Sequence, residues 1–169
     1  MFRKKKSPVP PYTLQVLTTE YLIEGTVEGD MGLSFPEDEK ENTPLQLNSV
    51  KIQTTKPVDI PAMFCEQFII MGDNLVALIP RIEIDQLQQY EAWQENDVPV
   101  EGVFYAAQYK MTGKLMFLSE DLHEREMPIV DVHITSLTPG THWGEIYAPF
   151  ALLNTHWLHG YEPTQEIDT

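Results

Sequence analysis

Cysteine occurs once in the chain, at Cys65, so no disulfide can form within it. That fits a reducing compartment and leads to the expectation of a cytoplasmic protein. Positive charge is also scarce, with 11 Lys and Arg against 26 Asp and Glu and a formal net charge of -15. Four of the cations are Arg3, Lys4, Lys5 and Lys6, which leaves seven cations against 26 acids, or -19, on the rest of the chain. Nucleic-acid affinity draws on cations that neutralise phosphates. Nucleic acid is therefore disfavoured as the main partner, as are anionic membrane surfaces except through the basic start. No apolar run approaches the roughly 18 residues of a membrane span, and none of signal-peptide length follows the basic start. The glycines never form Gly-x-Gly or precede Lys-Ser or Lys-Thr, so no phosphate-binding loop is present.

What is present reads as all-β. The 169 residues are 42% hydrophobic, strand-type residues are frequent, and Pro is high at 13. Residues 1–11 form a basic, proline-rich tail expected to be disordered. Residues 12–28 alternate as two strands around Thr18–Glu20. Residues 29–44 are acidic and aperiodic, a loop. Leu45, Leu47, Val50 and Ile52 resume strand character, with an irregularity near Asn48 and Ser49 that shifts the period. Pro57 and Pro61 break the chain. Phe68–Met71, the Gly72-Asp73-Asn74 turn and Leu75–Ile79 read as a hairpin. Asp85, with Gln88 three residues on, then starts a helix over about 85–95 that carries Leu87, Tyr90 and Trp93 and ends before Pro99.

From Val100 the pattern begins again. Tyr21-x-x-x-Gly25 recurs as Tyr109-x-x-x-Gly113, an offset of 88, and Val50-x-Ile52 recurs as Val132-x-Ile134, an offset of 82. At 82, Pro57 meets Pro139, Phe68 meets Phe150, Ile70 meets Leu152, Met71 meets Leu153, Leu75 meets Trp157 and Val76 meets Leu158. One length change inside the acidic loop reconciles the offsets, and loops tolerate such changes. The expected organisation is a first unit over 12–80, a helical linker over 81–99, a second unit over 100–163 and a tail over 164–169. The expected core includes Leu14, Val16, Val50, Ile52, Phe68, Ile70, Val132, Ile134, Phe150 and Leu152. Five short bent strands per unit suggest a small barrel, with Gly25 and Gly113 at the sharp bend.

The first unit, through Tyr21-Leu-Ile-Glu-Gly25-Thr-Val27, Leu47-Asn-Ser-Val50-Lys-Ile52 and Gly72-Asp-Asn-Leu75-Val-Ala-Leu-Ile79, resembles an Sm-like (LSm) barrel. Its start also resembles a bacterial family of uncharacterised function. The second unit departs at Asn154, which stands where the first has Gly72, and in a final strand carrying His156, His159 and Gly160. The resemblance, about 70 residues per unit and shared in strand order with SH3-like folds, implies two tandem five-stranded SH3/Sm-like barrels whose edges can pair between neighbours. It also implies RNA binding. However, Gly72-Asp73-Asn74 lacks the basic residue that function needs, and no RNA-binding residue is carried over.

All five histidines, His123, His133, His142, His156 and His159, lie in the second unit, and Glu120, Asp121 and Glu124 flank His123. They are candidate metal ligands, weighed against surface or interface histidines. His133 alternates with the core positions Val132 and Ile134, and His156 and His159 would face opposite sides of a strand. Cys65 has no neighbouring cation to activate it, Ser34, Ser49, Ser119 and Ser136 sit in no nucleophile elbow, and the acidic runs 37–41 and 120–126 read as solvated loops. Phe64, Trp93, Phe104, Tyr105, Tyr147 and Trp157 either mark a partner surface or pack the core and the seam between units. No catalytic, cofactor-binding or metal-ligating residue is assigned. The chain is expected to be a non-enzymatic interaction or scaffold protein that assembles with itself or other proteins through barrel edges. The alternatives are a nucleic-acid-associated Sm-like protein and a metal-dependent enzyme using the second unit's histidines.

Overall fold

The structure, a computed structural model, describes residues 10–28, 33, 35, 45–70, 74–86, 100–115, 126–141 and 143–164. They form ten strands: β1 Tyr12–Thr18, β2 Tyr21–Val27, β3 Leu45–Thr54, β4 Met63–Ile70, β5 Leu75–Pro80, β6 Val100–Ala106, β7 Tyr109–Leu115, β8 Glu126–Ser136, β9 Glu145–Asn154 and β10 Leu158–Pro163. All pair antiparallel in one open sheet ordered β10-β6-β7-β8-β9-β5-β1-β2-β3-β4. Short 3-10 turns occupy Ile84–Gln86 and Thr155–Trp157. Of the expected helix over 85–95, only its first two residues are described, and they belong to the first of these turns; the rest lies outside the described residues. Among the described residues no helix is long and apolar enough to cross a membrane.

Local chemistry explains the elements. The β1–β2 connection closes on Thr18, whose Oγ1 accepts from the Glu20 and Tyr21 amides at 3.1 and 2.8 Å, a side-chain-stabilised turn. The bend of β2 depends on the missing side chain of Gly25. A Cβ there would lie 2.9 Å from Leu47 Cβ and 3.1 Å from both the Asn48 carbonyl oxygen and Val50 Cγ2. Gly113 answers it in β7, where a Cβ would lie 2.7 Å from Ile129 Cγ2 and 2.8 Å from the Val130 carbonyl oxygen. The irregularity expected near Ser49 is a left-handed residue with φ of 52°, and Asp131 in β8 has the same φ.

These correspondences extend through the hydrogen-bond framework. Tyr21 opposite Thr54 becomes Tyr109 opposite Ser136, and Leu14 opposite Pro80 becomes Gly102 opposite Pro163. The connecting bonds repeat as well. Thr19 N to Asn74 O matches Ala107 N to Trp157 O, Thr55 N to Glu20 O matches Leu137 N to Gln108 O, and Arg81 N to Thr13 O matches Thr164 N to Glu101 O.

The pairing also corrects the expected alignment. The offsets of 88 and 82 hold for β1 to β3, but Val50 opposite Cys65 corresponds to Val132 opposite Ala148. The offset over the last two strands is thus 83, so Leu75 matches Leu158 rather than Trp157, and Phe68 matches Ala151 rather than Phe150. The extra residue falls between β8 and β9, where Gly140 and Gly144 both adopt positive φ.

A second correction concerns the expected hairpin. β4 pairs only with β3 among the described residues, while β5 lies between β1 and β9. Every residue of β5 is buried, which suits an unbroken apolar run placed where both sheet faces are covered. Leu75 and Leu78 enter one core with Leu14, Val16, Val50 and Ile52. Val76, Ala77 and Ile79 enter the other with Met111, Val132 and Ile134. β9 divides the same way, Phe150 and Leu152 toward the first core and Ala151 and Leu153 toward the second. Of the expected core residues only Phe68 is half-buried. Two residues of the expected acidic loop are core instead: Leu33 and Phe35 are buried, and the Phe35 amide donates to Glu126 Oε1 at 2.7 Å.

Candidate functional site

The β5–β9 junction joins the two repeats, and its chemistry sets the terms for the sheet's two open edges. Ala77 faces Leu153 and Leu78 faces Leu152. Asn154 Nδ2 donates to the Leu75 carbonyl at 2.8 Å, and Arg81 donates to the Tyr147 carbonyl at 2.6 Å. Beside the strands lies a polar clasp. Tyr109, fully buried, donates its hydroxyl to the Thr18 carbonyl at 2.6 Å. Gln108 Nε2 donates to the Thr19 carbonyl and lies 3.5 Å from Thr55 Oγ1. Thr141 Oγ1 donates to the Thr55 carbonyl at 3.1 Å. Burial pushes the Tyr109 phenol well above the usual tyrosine range, outweighing the lowering effect of Thr55.

At the outer ends the equivalent strands have no partner among the described residues. β4 presents Met63, Phe64 and Ile69 at 50%, 75% and 49% exposure, and β10 presents Tyr161 at 44%. A strand edge with unpaired amides and carbonyls and large exposed apolar side chains is a template for pairing with another chain. Tyr161 is held in place by stacking on Phe104 at 5.8 Å between ring centroids.

The histidines do not converge. His133 lies flat on Tyr147, 4.1 Å between centroids and 5° between planes. Its Nε2 is 3.1 Å from Glu145 Oε2, which also accepts from the Tyr147 hydroxyl at 2.9 Å. The Tyr147 bond, and then the His133 bond, hold the Glu145 carboxyl below the ordinary glutamate range, and the same contact with Glu145 raises the Tyr147 phenol. This cluster is on the surface, as the alternation of His133 with core residues predicts. His156 sits in the Thr155–Trp157 turn, edge-on to Trp157, rather than in the final strand as expected. His159 is in β10, while His123 and His142 lie outside the described residues. Among the described residues, no three His, Cys, Asp or Glu side chains are placed to hold a metal ion.

Cys65 is half-buried on β4 opposite Val50. The aromatic candidates split: Phe104 is core, Trp157 packs against the second core, and Phe64 and Tyr147 are exposed. Trp93 lies outside the described residues. A hollow of about 600 Å³ is lined by Tyr12, Thr13, Arg81, Glu83, Gln86 and Pro149 among others. Compared with known protein families, characterised proteins and solved structures, the chain matches none.

Proposed function

We propose that this chain is a non-enzymatic cytoplasmic scaffold, two tandem Sm-like barrel units that assemble with further copies through their strand edges. The observation that carries the reading is the β5–β9 junction. There the last strand of one repeat pairs with the fourth strand of the next. The same two strand types, β10 and β4, are the ones left open at the ends of the sheet. In a ten-stranded antiparallel sheet the first and last strands run in opposite directions, so adding a second copy head-to-tail continues the alternation. Exposed Met63, Phe64 and Ile69 supply the apolar surface, while no described cluster supplies a catalytic constellation.

Sedimentation velocity over a series of protein and salt concentrations tests the reading. Wild-type protein is expected to associate with rising concentration, and more readily as salt screens a net charge of -15 per copy. Ile69→Lys, which places a charge on the edge, is expected to be monomeric with an unchanged circular dichroism spectrum. A wild-type chain that stays monomeric at every concentration and salt tested would defeat the reading.

A further inference from the structure

We infer that the joint between copies repeats the strand register of the internal joint, with Tyr21 as its polar anchor; the inference rests on the assembly reading above. The repeat offsets convert the internal pairs into intermolecular ones. Leu78 facing Leu152 becomes Tyr161 of one copy facing Ile69 of the next, and Ala77 facing Leu153 becomes Gly160 facing Ile70. Tyr161 and Ile69 are both exposed large apolar side chains, at 44% and 49%, although they sit on opposite ends of the sheet. Their internal counterparts Leu78 and Leu152 are fully buried.

The clasp transfers in the same way. Tyr109 corresponds to Tyr21 and Thr18 to Ala106. Tyr109 is fully buried, whereas Tyr21 is 37% exposed, and no hydrogen bond of the Tyr21 hydroxyl is found among the described residues. The chain thus carries two copies of one anchor, one engaged and one free. In the joint, the Tyr21 hydroxyl of one copy donates to the Ala106 carbonyl of its neighbour.

Substitutions between the repeats make the outer joint weaker than the inner one: Asn154 and Arg81, which bond across the inner joint, correspond at the offset of 83 to Met71 and Thr164, and the clasp loses a donor as well. Gln108, which donates to the Thr19 carbonyl, corresponds to Glu20. A carboxylate accepts hydrogen bonds and cannot donate them, so Glu20 would face the Ala107 carbonyl of the neighbour without a bond. In the isolated chain Glu20 instead lies 3.4 Å from Lys56 Nζ on the surface. The inner joint is permanent and the outer one adjustable, as reversible assembly requires.

Two experiments test the joint. On a Cys65→Ser background, Ile69→Cys and Tyr161→Cys are purified separately and oxidised alone or mixed. Directly opposite residues lie within reach of a disulfide, so the mixture is expected to give a linked dimer and neither variant alone. A dimer from Ile69→Cys alone, or no mixed dimer from protein that sedimentation shows to be associated, overturns the register. Second, Tyr21→Phe is expected to weaken association about fivefold, the effect of one net hydrogen bond. Glu20→Gln is expected to strengthen it about threefold or more beyond the charge-matched control Glu28→Gln. If neither substitution moves an association that Ile69→Lys abolishes, the anchor is wrong and the assembly stands. A wild-type monomer throughout overturns both.

Discussion

The Tyr109 hydroxyl donates to the Thr18 carbonyl at 2.6 Å across 91 residues of sequence, binding the β6–β7 turn of the second repeat to the end of the first strand of the first. The pair is buried, so the bond is not exchanged freely for one to water. Tyr109→Phe keeps the ring, which packs 5.9 Å from Trp143 between centroids, and removes the hydroxyl, which also accepts from Gln108 Nε2 at 3.1 Å. The expected cost is about 1–2 kcal/mol, because the Thr18 carbonyl loses a buried partner. Urea unfolding followed by fluorescence measures it. A change below a few tenths of a kcal/mol would mean that solvent replaces the phenol.

The two glycines at the bend differ in how closely their surroundings approach. A Cβ on either glycine meets a main-chain carbonyl, but at different distances: the Asn48 oxygen at 3.1 Å from Gly25, beside Leu47 Cβ at 2.9 Å, and the Val130 oxygen at 2.8 Å from Gly113, beside Ile129 Cγ2 at 2.7 Å. Both Ala variants are expected to lose about 1–3 kcal/mol by overpacking, with Gly113→Ala the worse of the two. Thermal unfolding of both variants decides the order, and the reverse ranking would refute the account.

Ile52 and Ile134 occupy equivalent positions in the two cores, opposite Ile23 and Met111. Replacing either with Ala removes buried methyl groups and leaves a cavity, at an expected cost of about 2–4 kcal/mol. Ile134, with no exposure, is expected to cost more than Ile52 at 8%. Chemical denaturation of the two variants checks both the size and the order.

What could be read from the sequence was what depends on near neighbours. Alternation placed the strands and most of the core, and the Tyr-x-x-x-Gly pair located the repeated bend, because burial on a sheet follows a period of two. The placement of β5 was not readable in this way. Leu75–Ile79 next to a Gly-Asp-Asn turn looks like half of a hairpin, and only its complete apolarity hinted at burial on both faces. The one-residue slip at β4 was hidden because Phe68 and Phe150 are identical by chance of alignment, while pairing opposes Cys65 and Ala148 to Val50 and Val132. Leu33 and Phe35 were lost in an acidic stretch whose composition outweighed two apolar residues. Tyr21 and Tyr109 look alike in sequence; which is buried depends on which sheet edge has a neighbour, a property no local window contains.

The Glu145 cluster gives a pH test. The folded-state carboxyl lies below its ordinary value, with the Tyr147 hydroxyl as the larger cause and His133 next. A depressed carboxyl contributes stability above the unfolded pKa and loses it as pH falls through the folded one. Because the group is on the surface, the readout is its own titration rather than global unfolding. Carboxyl chemical shifts are expected to show Glu145 protonating below the roughly 4.3 of a free glutamate, and Tyr147→Phe is expected to raise that midpoint. A midpoint indifferent to Tyr147→Phe would show that the hydroxyl contact does not persist in solution.

The charge distribution makes the last prediction. A chain that carries -19 outside Arg3, Lys4, Lys5 and Lys6 repels a phosphate backbone over most of its surface, and phosphate contact is what drives sequence-independent binding. Any affinity for nucleic acid is therefore expected to be weak near physiological salt, to fall steeply as salt rises, and to reside in the first residues. Fluorescence anisotropy with a labelled oligonucleotide measures it on the whole chain and on a chain lacking residues 1–7. Deleting those residues removes four cations, and a contact that used all four would lose a salt dependence of about four counterions for duplex DNA. The deleted chain is expected to show no binding. Tight binding that survives the deletion would require a cationic surface that the remaining seven Lys and Arg would have to assemble against 26 acids, and it would reverse the argument from charge.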